Sequence, residues 1–440
     1  MSKCLLALIG FVLVGYVPVN AQERVAKSPD LVASAKAFVD LLAKKDFSSA
    51  EKSFDDAMKT GLSPEKLGET WNVLITQAGT FKQQVSTRTE ARGGYNVVIV
   101  TCEFEKAAID IQVVFDQATR ITGLFFTPAD KTPGYVPPGY VKPNAFREKD
   151  VTVGTGEWAL PGTLTLPIGP GLFPAVVLVH GSGPNDRDET TGPNKPFRDL
   201  AWGFASQGIA VLRYEKRTRH YAIQGQFTVK EETIDDVLAA VESLQRTEGI
   251  DARRIFVLGH SLGGMLVPRI AKLNPIIAGF IVLAGATKPT EDAFLAQTKY
   301  FFLLDGVISK EEQAQLEEVE KQVAKVKSLQ PSDLNSSIVL FGAPVSYWLD
   351  LRGYDPPEAA KAMRQRMLIL QGERDFQVTM DDFQRWKTAL TSRQNVTFKS
   401  YPNLNHFFIE GNGKSAPAEY NMPGHVAEVV INDITNWIRK

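Results

Sequence analysis

Residues Ile255-Phe256-Val257-Leu258-Gly259-His260-Ser261-Leu262-Gly263-Gly264 decide the fold. The first four are apolar without interruption, as expected of a strand buried on both faces. The next five follow the pattern G-x-S-x-G, and a helix-compatible stretch begins immediately after them. A strand, a sharp turn and a helix in that order put the serine at the apex, clear of both elements. Glycines at 259, 263 and 264 let strand and helix approach closely, and the helix N-terminus favours negative charge developing beside it. The pentapeptide alone is a common pattern. Its setting makes Ser261 the expected nucleophile, the alternative being a glycine-rich strand–helix turn.

Working outward, Val176-Val177-Leu178-Val179, Ile209-Ala210-Val211-Leu212, Phe280-Ile281-Val282-Leu283 and Met367-Leu368-Ile369-Leu370 are further short apolar runs between turn residues. Helical stretches separate most of them. The order predicts an α/β unit over 150–440 built on a mostly parallel, doubly wound sheet. The interval 287–365 breaks the alternation, being far longer than one crossover helix requires. In it Ser309 and Glu312 have capping-box spacing, and Leu316, Val319, Val323 and Val326 form an apolar stripe. It reads as a helical cap insertion over the site, or else as a peripheral helical hairpin. If it is a cap, Phe302, Tyr347 and Trp348 are candidates to wall an apolar substrate pocket, the alternative being that they pack the insertion onto the body.

A serine hydroxyl needs a base, and the base an orienting acid. Among the five histidines, His406 lies just past the strand-like Val396–Tyr401 and ahead of the last helical stretch, where such a base is expected. His260 points away from the second position of the turn, while His220 and His425 read as surface residues. Gln371-Gly372-Glu373-Arg374-Asp375 follows the strand 367–370 and falls between serine and histidine in chain order. Asp375 is the expected acid and Glu373 the alternative. Oxyanion donors are expected from the N–H of Leu262 and from the loop His180-Gly181-Ser182-Gly183-Pro184, with Ser182 first and Gly183 next. His180 is expected to brace that loop. Arg213, Tyr214, Lys216, Arg217 and Arg219 form a basic cluster, expected to pair with Asp186 and Asp188 rather than to meet an acidic substrate.

Upstream the grammar differs. Leu31, Ala35, Phe38, Val39 and Leu42 recur at helical spacing behind Ser28-Pro29, and helical stretches follow near 46–59 and 63–78. After Gly79, segments near 81–90, 95–104, 107–116 and 119–127 are rich in Val, Ile, Phe and Thr, with Gly93-Gly94 as one turn. Residues 28–127 therefore read as a small α+β domain, helices over an antiparallel meander. The proline-rich stretch 128–147 reads as a linker.

At the start, Lys3 precedes an apolar run from Cys4 to Val17, then Val19-Asn20-Ala21. This is the layout of a cleaved signal peptide over 1–21, too short for a membrane span, with a retained anchor as the alternative. Cys4 is too near the start for a lipid-attachment site. Cleavage would leave Cys102 as the remaining cysteine, excluding an intramolecular disulfide and cysteine-rich metal sites. A net charge of −1 without long like-charge blocks gives no reason to expect nucleic acid or an anionic membrane as partner.

With these residues in view the chain resembles the bacterial α/β-hydrolase carboxylesterases with an HGSGPxDRD-type loop. Leu178–Asp188, Asn194–Arg217, Gly259–Gly264, Gln371–Asp375 and Asn405–His406 carry the likeness. The resemblance implies the α/β-hydrolase fold and Ser261, Asp375 and His406 as the catalytic set. It also implies small-molecule esters of short acyl chains as substrates, and no metal or organic cofactor. The upstream domain resembles the cone-shaped modules related to nuclear transport factor two, which leaves a role in homo-oligomer contacts or substrate access open. The expected activity is that of a secreted or periplasmic serine esterase. A serine peptidase or amidase, an acyl thioesterase and a catalytically silent binding protein on the same fold are the alternatives.

Overall fold

The computed structural model describes residues 31–92, 95–129, 135–221, 223 and 225–440. The expected signal peptide, the Ser28-Pro29 cap and the Gly93-Gly94 turn lie outside the described residues. Two compact units divide between Lys131 and Thr132.

In the first unit, helices α1 (Leu31–Ala43), α2 (Phe47–Glu51), α3 (Asp56–Gly61) and α4 (Pro64–Ala78) precede strands β1 (Phe81–Arg92), β2 (Tyr95–Phe104), β3 (Ala108–Phe115) and β4 (Ile121–Pro128). The strands form an antiparallel meander in chain order. Every second residue of β2 (Val98, Val100, Cys102, Phe104) meets Phe38, Leu42 and Trp71 of the helices in one core. The stretch 46–59 is not one helix. Phe54 bridges to Ile121, and the Asp55 carboxylate accepts from Met58 N at 2.7 Å, starting α3 afresh.

The second unit is built on an eight-stranded sheet. Its strands are β5 (Phe146–Val153), β6 (Leu160–Pro167), β7 (Phe173–Val179), β8 (Ala210–Tyr214), β9 (Ile250–His260), β10 (Gly279–Leu283), β13 (Arg366–Gly372) and β14 (Val396–Tyr401). Their order is β14-β13-β10-β9-β7-β8-β6-β5. The six from β14 to β8 run parallel, whereas β6 and β5 are an antiparallel edge hairpin. Helices α5 (Pro196–Ala205), α7 (Asp235–Gln245), α8 (Leu262–Leu273), α13 (Met380–Ala389) and α14 (Glu428–Arg439) cover the sheet, with short α6 (Arg217–His220) after β8. Tyr135 and Tyr140 of the proline-rich stretch bond to Asp199 and to the Val426 carbonyl of this unit, at 2.7 and 2.8 Å.

Between β10 and β13 the chain forms α9 (Thr290–Phe302), α10 (Lys310–Ser328), a small ribbon of β11 (Val339–Leu340) and β12 (Ala343–Pro344), then α11 (Val345–Leu351) and α12 (Pro356–Ala360). Ser309 and Glu312 close the capping box that begins α10. Among the described residues no helix is long and apolar enough to cross a membrane. Because β7, β9, β13 and β14 are parallel, their carboxyl ends share one sheet edge, which sets 180–183, Ser261, Asp375 and His406 along it.

Candidate active site

At the end of β9 the chain turns within one residue. Ser261 has φ 52°, a left-handed conformation that side-chain-bearing residues seldom adopt, and it caps α8. Two hydrogen bonds hold it there: its N–H donates to Leu283 O at 2.9 Å, and its carbonyl accepts from Met265 N at 3.0 Å. A Cβ at Gly259 would collide with the Gly263 carbonyl, and one at Gly263 with the Val179 carbonyl. The turn therefore needs glycine at both places. Among the described residues neither the Ser261 hydroxyl nor the Leu262 N–H has an intramolecular partner, which leaves both available to a ligand.

Asp375 is buried and every carboxylate lone pair is engaged. Oδ1 accepts from the N–H groups of Gln377 and Val378, at 2.8 and 3.0 Å. Oδ2 accepts from Gln371 Nε2 at 3.2 Å and faces His406 Nδ1 at 2.6 Å. That contact sets the tautomer with Nδ1–H on the carboxylate and Nε2 free to accept a proton. The His406 loop is shaped by Asn405, whose Oδ1 accepts from Phe407 N and Ile409 N at 3.0 and 3.1 Å. Glu373 is exposed and accepts from the Ser400 hydroxyl at 2.7 Å, while Arg374 pairs with Glu419. Of the two carboxylates, Asp375 is the one brought to His406.

His260, set aside from the sequence as turned away from the nucleophile, links three parts of the site. Its Nε2–H donates to the His406 carbonyl at 3.0 Å, and the two imidazoles lie 4.6 Å apart between centroids. Its Nδ1 sits 2.9 Å from Glu189 Oε2, in charge contact rather than in a well-aligned hydrogen bond. Burial alone would push the His260 pKa down, but the Glu189 carboxylate holds it above the usual histidine value. Burial likewise opposes the charge on Glu189, and His260 holds its carboxyl below the usual range. The other Glu189 oxygen accepts from Gly181 N at 2.6 Å.

The loop after β7 is held from several sides. Asn185 Nδ2 donates to the carbonyls of Gly181, Ser182 and Gly183, at 3.2, 3.0 and 3.3 Å. His180 is buried, which lowers its pKa to about 4, and its Nε2–H donates to Asp186 O at 3.1 Å. The basic residues in and after β8 divide among separate partners. Arg213 pairs with Asp188 and Glu148, Lys216 with Glu232 and Arg217 with Asp236. Asp186 does not pair with this cluster; its Oδ1 accepts from the N–H groups of Asp188 and Thr190.

Phe302, Tyr347 and Trp348 are all buried in the insertion. The Trp348 indole donates to the carbonyls of Leu340 and Ala343 and packs on Phe294, Phe341 and Tyr347. A second aromatic row reaches the histidine loop. Tyr300 of α9 stacks on Phe376 at 5.0 Å, Phe376 on Tyr420 at 6.2 Å, and Tyr420 meets Phe407 at 5.0 Å. Phe376 and Phe407 directly follow Asp375 and His406, a placement that marks them in retrospect. Among the described residues no group of three or more His, Cys, Asp or Glu side chains has the geometry of a metal site.

Residues 174–410 match the family described as serine aminopeptidase, S33, and residues 35–124 match a family described as a protein of unknown function, DUF3887. The chain is 41% identical to esterase EstD of Thermotoga maritima over 404 residues, 92% of this chain and 94% of that one. Among solved structures it is similar to Est1E from Butyrivibrio proteoclasticus, with TM-score 0.43, 16% identity and coverage of 66% and 99%. It is also similar to a Pyrococcus furiosus esterase, with TM-score 0.43, 17% identity and coverage of 70% and 96%. By its match to EstD over nearly the whole length of both chains, this protein belongs to the α/β-hydrolase esterase family, with an N-terminal DUF3887 domain.

Proposed function

We propose that this protein is a serine hydrolase of carboxylic esters, favouring short acyl chains, with Ser261, Asp375 and His406 as its catalytic triad. The observation that carries the reading is the 2.6 Å contact between His406 Nδ1 and a fully bonded, buried Asp375, on the sheet edge where the Ser261 turn ends. In the proposed reaction His406 Nε2 takes the Ser261 proton as Oγ attacks the ester carbonyl. The oxyanion is met by the N–H of Leu262 and by that of Ser182, with Gly183 as the adjacent donor. His406 then gives the proton to the leaving alcohol, and water repeats the sequence on the acyl-enzyme. The partnerless Leu262 N–H supports its part in this scheme.

The same proposal includes residues 287–365 as a cap over the site, with residues 28–127 as a domain of the cone-shaped type. Export by a signal peptide at 1–21 completes it. Supporting the cap is the stack of Tyr300 on Phe376, which joins α9 to the loop carrying Asp375. A peptidase reading is the second one, favoured by the description of the matched family. The test compares burst release of nitrophenol from para-nitrophenyl acetate with release of nitroaniline from amino-acid anilides. Esters should turn over and Ser261→Ala should keep less than about 1% of that activity while remaining folded. Preferential cleavage of the anilides would replace the esterase reading by the peptidase one.

A further inference from the structure

We propose that Lys216 is a positioning residue of the oxyanion donor, acting through the peptide that joins Gly181 to Ser182. This rests on the proposed role of the Ser182 N–H. Lys216 follows β8 and is buried, with 2% of its side chain exposed. Its ammonium donates to the Gly181 carbonyl at 2.8 Å and pairs with Glu232 Oε1 at 3.2 Å. Its own N–H donates to Asn185 O at 3.2 Å, so the residue holds the loop at two points. Glu232 also accepts from Thr218 Oγ1 at 3.2 Å and lies beside the Tyr347 hydroxyl.

The consequence follows from peptide geometry. The Gly181 carbonyl and the Ser182 N–H belong to the same planar unit, and no described peptide is cis. In a trans peptide the two groups point in opposite directions. An ammonium fixed on the carbonyl therefore fixes where the N–H points. It also polarises the unit, since a charge on the acceptor side strengthens the donor at the other end. The preceding peptide is held as well, through Gly181 N on Glu189. This unit lies against the nucleophile: a Cβ on Gly181 would be 3.2 Å from Ser261 Cβ. Bracing alone does not require a charge, because the neutral Asn185 amide already reaches the same carbonyl at 3.2 Å. Burying an ion pair is costly, and removing one member leaves the other uncompensated.

The experiment therefore uses Lys216→Met/Glu232→Gln, which removes both charges together, beside Lys216→Met alone. Acylation is followed with para-nitrophenyl acetate, and oxyanion binding with a trifluoromethyl ketone, whose serine adduct carries the oxyanion. Folding is checked by thermal unfolding. We expect kcat for the double variant to fall about 10- to 100-fold, below the effect of deleting a donor outright, with KM within about threefold. The ketone should weaken in proportion to kcat/KM. A folded double variant with kcat within about twofold of wild type, or with its loss confined to KM, overturns the role of Lys216. Ser182→Pro deletes the N–H itself. If it is folded and keeps wild-type kcat, the Ser182 donor assignment falls, and the Lys216 proposal with it. If Ser182→Pro is impaired and the double variant is not, only the role of Lys216 falls.

Discussion

Asp375 Oδ2 faces His406 Nδ1 at 2.6 Å, while the carboxylate two positions earlier, on Glu373, is exposed and bound to the Ser400 hydroxyl. Asp375→Asn should therefore lower kcat by about 10⁴-fold, because an amide cannot stabilise the imidazolium and favours the wrong tautomer. Glu373→Gln should stay within about threefold of wild type, since the change lies at an exposed surface. Steady-state kinetics on para-nitrophenyl acetate decide the matter, and equal mild losses in both variants would remove Asp375 from the triad.

The turn at Ser261 gives a stability prediction. Adding a methyl at Gly263 brings it against the Val179 carbonyl, within the packed junction of β7 and α8. Gly263→Ala should cost at least about 1–3 kcal/mol, as overpacking of a close-fitted core does. Gly183→Ala meets open space, and its cost arises only from φ 86°, about 1–2 kcal/mol. Thermal unfolding of the two variants should rank Gly263→Ala below Gly183→Ala. The reverse order would mean that the packing of the turn is not what demands glycine.

Much of the candidate site was legible because the loop at 180–183, Ser261 and the loop carrying Asp375 each follow an apolar run. Val176–Val179, Ile255–Leu258 and Met367–Leu370 announce themselves as buried strands, so the loops after them could be placed on one edge. The edge hairpin was not legible. Its strand β5 carries Arg147, Glu148, Lys149 and Asp150 in succession, and β6 contains Pro161 and Gly162. The charged run hides β5, because an edge strand needs only partial burial, and Pro161-Gly162 interrupts β6 ahead of the short alternation Thr163-Leu164-Thr165-Leu166. The Glu189–His260 and Lys216–Glu232 pairs were hidden for another reason. Their partners are 71 and 16 residues apart, and charge pairing across a fold leaves no periodic trace.

The Glu189–His260 pair should make stability depend on pH in a defined sense. The folded His260 pKa lies above its unfolded value of about 6.5, despite a burial that opposes charge. Its contribution is then fully present below about pH 6.5 and is lost as pH rises through the raised folded value. The folded Glu189 pKa is lowered, so its contribution is present above about pH 4.5 and is lost as pH falls through the lowered value. Removing the carboxylate by Glu189→Gln leaves His260 with burial as its main influence. The Tm difference between wild type and variant should be greatest near pH 6 and should shrink toward pH 9. A difference constant across that range would show that the pair is not charged in the folded protein.

Two aromatic residues of the insertion should respond differently to truncation. Trp348 is 2% exposed, its indole N–H is bonded within the insertion, and its ring packs on other aromatics. Trp348→Ala should cost about 3–5 kcal/mol of stability, with rates for all acyl lengths falling together. Tyr300 instead stacks on Phe376, the residue after Asp375, and its hydroxyl donates to Ser415 O at 2.8 Å. Unlike Trp348 it is only partly buried, and the row it belongs to runs to Phe407, the residue after His406. Tyr300→Ala should therefore move the ratio of kcat/KM for acetyl and octanoyl esters by about tenfold or more, since each methylene in an apolar pocket is worth about 1–3 kcal/mol. The acyl-length profile separates the two roles where a single rate would not, because loss of folded protein scales every substrate alike. A shifted profile in Trp348→Ala would return that residue to the pocket wall. An unshifted one in Tyr300→Ala would leave the aromatic row as packing between α9 and the acid loop.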